Sequence, residues 1–162
     1  MVDRTALVTE INESFPNQPI PYKVDDQIRE WDPHPEVCEA RSLFLGKCWK
    51  EIPDSTLLEN CPSPFLIGHL AFRYFLPAFL LAAIRDEDQL MEGMIETLKP
   101  PRKEGALKDF NCRFKGLTAR QSNVVVLFLE YVRDVCYYDD DRSIKRINNS
   151  INRYWAGSPT GK

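Results

Sequence analysis

The sequence predicts an all-α protein: one domain over residues 1–162, a bundle of six to seven helices around a central kinked apolar helix, with room for one short strand. Three observations predict it. The stretch SPFLIGHLAFRYFLPAFLLAAIRD, Ser63 to Asp86, is the most densely apolar part of the chain. Segments on both sides of it carry apolar residues at helical spacing. Asp, Ser, Thr and Pro stand where those periodic segments begin or end.

In chain order, Asp3 caps a first helix through Phe15, with Ala6, Leu7, Ile11, Ser14 and Phe15 as its apolar stripe and Glu10 and Glu13 outside it. Pro16 stops it, and Asn17 to Lys23, holding Pro19 and Pro21, is extended. Pro35 opens a second helix to about Trp49, seamed by Val37, Ala40, Phe44 and Cys48. Asp54 caps a short helix from Ser55 to Asn60.

Ser63-Pro64 then reads as the start of the central helix, because Ser can cap it and Pro suits its first position. Phe65, Phe72, Phe75 and Phe79 share one broad face, and leucines fill most of the rest. A helix apolar nearly all round is buried or spans a membrane. His69 and Arg73 in its middle argue against the span, since a central arginine costs at least about 2.5–3.5 kcal/mol on insertion scales. Pro77 removes a backbone hydrogen bond and predicts a kink or break.

After the acidic Asp86-Glu87-Asp88, Leu90, Met91, Met94, Ile95 and Leu98 make an amphipathic helix that ends at Pro100-Pro101. Lys99 to Arg120 holds seven Lys/Arg against two acids and reads as a solvated basic connection, with Leu107 to Phe114 alternating enough for a short strand or extended loop. Thr118 with Gln121 is a capping box for a helix to about Cys136. Asp139-Asp140-Asp141 is a turn that caps the last helix, Arg142 to Trp155, whose core side is Ile144, Ile147, Ile151 and Tyr154 or Trp155. Residues 157–162 form a loose tail.

The net charge is −3, but it is uneven. Residues 25–39 hold six acids against Arg29 alone. That balance is unlike a nucleic-acid binder, which needs a strongly basic face. The cysteines are Cys38, Cys48, Cys61, Cys112 and Cys136, odd in number and without a CxxC pair, so they read as free thiols in a reducing cytoplasm. With only His34 and His69, no metal or cofactor site is expected. Neither P-loop, GxGxxG, GxSxG nor HExxH occurs, so no catalytic residue is assigned.

Three short motifs carry a resemblance. They are Trp49-Lys50-Glu51-Ile52-Pro53, the run Phe72-Arg73-Tyr74-Phe75-Leu76-Pro77-Ala78, and Leu117-Thr118-Ala119-Arg120-Gln121. Together they resemble a small uncharacterised family of bacterial helical proteins, a domain of unknown function, over about Trp49 to Val132. The resemblance implies a helical fold and no particular activity.

Two function classes remain. The first is a protein–protein interaction module, in one version an inhibitor or immunity-type protein that masks a basic partner. Its surface is Tyr22, Asp25, Asp26, Glu30, Trp31 and Asp32, where aromatics supply anchors and carboxylates steer encounter. The alternative is a small-molecule or anion-binding protein, with room for catalysis, using a pocket of His69, Arg73 and Tyr74. A guanidinium stays charged, so a buried one needs a carboxylate, carbonyls or a bound anion. A third reading, a structural subunit of a larger assembly, predicts an exposed apolar patch.

Overall fold

The computed structural model describes residues 2–20, 43–59, 68–85, 89–137 and 139–157. Among the described residues it holds seven α-helices and no strand. These are α1 (Arg4–Ser14), α2 (Asp54–Glu59), α3 (His69–Arg85), α4 (Gln89–Leu98), α5 (Glu104–Phe114), α6 (Ala119–Tyr131) and α7 (Asp141–Ser150). Trp49–Glu51 is a 3-10 turn, and α6 and α7 each run on into a π-helical turn, Val132–Cys136 and Ile151–Trp155. The chain divides into two compact units, Pro16–Met94 and Met1–Phe15 with Ile95–Lys162.

The middle unit is organised on α3. From Ala71 to Ile84 every residue but Arg73 and Tyr74 is buried. Three of the four predicted phenylalanines share a buried face, Phe65 lying outside the described residues: Phe75 lies 4.8 Å from the Phe44 ring, and Phe79 lies 6.0 Å from Phe44 and 5.7 Å from Phe72. Each such side chain removed from water contributes roughly 1.5–3 kcal/mol. Pro77 is buried inside an unbroken helix. Trp49 and Ile52 are buried as well, and the Trp49 indole N–H donates to the Pro16 carbonyl at 3.1 Å.

The terminal unit is organised on α6. Thr118 and Gln121 form the expected capping box, each side chain accepting from the other's backbone N–H at 3.2 and 3.0 Å. Gln121 also donates its side-chain amide to the Ser14 carbonyl at 3.2 Å. That carbonyl lies in the last turn of α1, where intrahelical partners run out. Asp3 caps α1 by accepting from the Ala6 N–H at 2.9 Å. Arg120 forks onto Glu10 at 2.7 and 3.1 Å and onto Glu13 at 2.7 Å, so the acids outside the apolar stripe tie α1 to the start of α6. All three family-like motifs therefore include residues with a structural task.

Four boundaries or details differ from the sequence reading. Residues 107–114 are neither strand nor extended loop but most of α5. The deciding spacing is Leu107, Phe110 and Phe114, which is helical; Phe110 and Phe114 are buried and their rings sit 4.7 Å apart. The helix before Trp49 stops at Phe44, because Gly46 turns left-handed at φ 72°, a conformation that glycine takes without strain. The central helix begins at His69, as Gly68 is not helical, and the start expected at Ser63-Pro64 lies outside the described residues. Asp54 stands inside the first turn of α2 rather than before it, and its carboxylate accepts from Arg85.

Among the described residues Cys48, Cys112 and Cys136 form no disulfide. No described helix is long and apolar enough to cross a membrane.

Candidate anion-binding cleft

The end of α4 sets one wall of a cleft in the terminal unit. A helix leaves its last carbonyls without intrahelical partners. Here the Leu98 carbonyl accepts from the buried Trp155 indole at 2.9 Å. That bond fixes the point where the chain turns out through Lys99-Pro100-Pro101-Arg102. Two consecutive prolines lock φ and donate no N–H, so this wall is stiff before any ligand arrives.

The facing wall is α7 and its π-helical extension. Asp140 caps α7, accepting from the Arg142 N–H at 3.0 Å. Ser143, Ile147, Ser150 and Ile151 are buried on its inner side. The residues Arg142, Lys145, Arg146, Asn149 and Arg153 recur at helical spacing and line the cleft. The last turn is widened to π, with the Ala156 N–H bonded to the Ile151 carbonyl at 2.8 Å. Such single-turn π segments recur at functional sites. This one turns Trp155 inward while Arg153 and Tyr154 line the opening.

The cationic lobe has a volume of about 460 Å³ and an adjoining lobe about 720 Å³. Pro100, Pro101, Arg102 and Arg153 line both. Each volume falls within the roughly 300–1,000 Å³ of ligand pockets. Six cations, Lys99, Arg102, Arg142, Lys145, Arg146 and Arg153, line the smaller lobe. Glu96 engages two of them, Arg146 at 2.8 Å and Lys99 at 3.0 Å. Among the described residues Arg102, Lys145 and Arg153 form no ion pair. Neither lining includes a histidine, cysteine or carboxylate; besides the cations and prolines they present Ser150, Asn149, Asn111, Tyr154 and Leu107. Converging guanidinium forks suit the oxygens of phosphate or carboxylate, which they hold two bonds at a time.

Sequence alone does not show this site, because Lys99 to Arg120 has the composition of a solvated run and the last helix announces itself by its apolar side. Its signal was the polar side of that helix, with Arg142, Lys145, Arg146 and Arg153 at intervals of three, one and seven.

The residues singled out in the sequence fall elsewhere. Tyr22, Asp25, Asp26, Glu30, Trp31 and Asp32 lie outside the described residues. His69 is the first residue of α3, half-buried, and its Nδ1 is buried without a hydrogen-bond partner among the described residues. Arg73 follows one turn later on the same side, half-buried, with burial lowering its pKa and no ion pair among the described residues. Tyr74 is the next residue of α3 and is also half-buried. Its hydroxyl donates to the Gln18 carbonyl, and its ring meets Phe75 edge-on at 4.8 Å.

Burial, reinforced by Cys48 and Glu51, pushes the Tyr74 phenol up from 10.0 to about 12. A raised folded pKa favours the neutral form, so its contribution to stability is whole below pH 10 and is lost as pH climbs towards 12. Tyr74→Phe should therefore flatten the alkaline fall in stability over that window. Denaturation midpoints of both proteins between pH 9 and pH 12 check this; parallel curves would contradict it.

The described part of the molecule is thus an all-α protein with a stiff-walled, cation-lined cleft on its last helix. The chain belongs to the Family of unknown function (DUF6714), whose model matches residues 4–158. No curated protein and no solved structure matches it. The helical fold that the motif resemblance implies holds, and the family brings no activity with it.

Proposed function

We propose that this chain is a binding protein whose cleft takes a ligand bearing several negative charges. The observation that carries the reading is the six-cation lining of the smaller lobe, in which Glu96 pairs with Lys99 and Arg146. Six positive groups held together repel one another, and a bound polyanion removes that cost while gaining charge-assisted hydrogen bonds. The proline pair and the Trp155 bond hold the walls in place, so little ordering remains to oppose binding.

Titration calorimetry with inorganic tripolyphosphate tests it. Wild type should bind, more weakly as salt is raised, because exposed charges are screened. Reversing Arg102, Lys145 and Arg153 together to Glu should weaken binding by at least about 100-fold, since hydrogen bonds to charged groups contribute about 1.5–3 kcal/mol each. Equal affinity of the two proteins would refute the reading.

A second reading rests on residues 22–39. Six acids against one arginine over 25–39, beside Tyr22 and Trp31, favour a basic protein partner masked by an inhibitor-type surface. Trp31→Ala with Asp32→Ala should then release any basic protein that co-purifies with the wild type, and unchanged recovery would remove this surface.

A further inference from the structure

We infer that the cleft's ligand is a nucleoside polyphosphate, with its phosphates in the smaller lobe and its base in the larger. The inference rests on the anion-binding reading of the same cleft and adds the chemistry of the second lobe. The two lobes differ sharply in what they present. The smaller has the six cations. Beyond the shared rim, the larger offers the Leu107 side chain, the Tyr154 ring and the Asn111 amide. A ligand filling both would be strongly anionic at one end and would carry at the other a flat ring with polar groups on its edge.

Tyr154 is suited to the flat end. Its ring is held edge-on by Phe110 at 4.8 Å and by Trp155 at 5.0 Å, so a base can stack without first ordering it. Burial also raises the Tyr154 pKa, which keeps the phenol neutral beside an anionic ligand. Asn111 supplies both a donor and an acceptor, the pair that a base edge requires. Arg102 and Arg153 line both lobes, where the α-phosphate and sugar of such a ligand would lie.

The test compares ATP, GTP, CTP and UTP with tripolyphosphate by calorimetry on the full chain, in EDTA so that no divalent ion masks the phosphates. Tripolyphosphate carries the higher charge density, so charge alone favours it. Stacking on an aromatic ring contributes about 1–3 kcal/mol per base, or roughly 5–150-fold in affinity. At least one nucleotide should therefore bind about tenfold or more tighter than tripolyphosphate. Asn111→Ala and Tyr154→Leu should narrow that gap and leave tripolyphosphate unchanged. If Tyr154→Leu does not fold, the exposed Asn111→Ala decides alone. Nucleotides no tighter than tripolyphosphate would overturn this inference and leave the anion-binding reading standing. Absence of binding by all five would overturn both.

Discussion

Phe79→Ala should destabilise the protein by about 3–5 kcal/mol, the range for truncating a fully buried phenylalanine. Phe79 has no exposed surface, and it packs between Phe44 at 6.0 Å and Phe72 at 5.7 Å. Truncation removes its burial and leaves a cavity that two stiff rings cannot close. Typical total stabilities are about 5–15 kcal/mol, so the loss is a large fraction of what holds the fold. Urea unfolding followed by circular dichroism measures it. Leu45→Ala is the control: Leu45 is 39% exposed, and the change should stay within about 0.5 kcal/mol. A Phe79→Ala loss as small as the control's would mean that the phenylalanine face of α3 is not the core of its unit.

Trp155 should give the second large effect, in two separable parts. Trp155→Ala should cost about 3–5 kcal/mol, because the ring is buried against Phe114 at 4.9 Å and Phe110 at 6.2 Å. Trp155→Phe keeps most of that packing but removes the indole N–H from the Leu98 carbonyl. Leaving a buried acceptor unpaired costs about 1–3 kcal/mol. The milder variant should also weaken tripolyphosphate binding, since Leu98 precedes the Lys99-Pro100-Pro101 wall. Unfolding and calorimetry on the same samples check both halves. A Trp155→Phe protein with full stability and full affinity would show that this bond positions nothing.

Much of the helical architecture was legible because local signals and packing agreed. Asp3, Thr118 with Gln121, and Asp140 each cap the helix that their position announces. Where the reading failed, a non-local partner or a single glycine decided. Gly46 ends a helix that the apolar seam extended to Trp49. The α5 segment looked ambiguous because its exposed lysines dilute the pattern; Phe110 identifies itself only when Phe114, Tyr154 and Trp155 gather around it. Arg85 reaches Asp54 from 31 residues away, which no local rule supplies.

The cleft was hidden for a related reason. Its cations come from two stretches, 99–102 and 142–153, and each alone looks like an ordinary solvated face. The Leu98–Trp155 bond and the Arg146–Glu96 ion pair, between residues 57 and 50 apart in sequence, help place one beside the other. His69 and Arg73 stood out in sequence because charge is conspicuous in an apolar helix. They lie one turn apart in α3, and the Tyr74 hydroxyl beside them donates to the Gln18 carbonyl.

The most direct test of the account is an amide chemical-shift titration of the full chain with tripolyphosphate. The account predicts saturable shifts concentrated in 99–103 and 142–154, absent when Arg102, Lys145 and Arg153 are reversed to Glu. Shifts centred on His69 and Arg73 instead, or none at all, would contradict it.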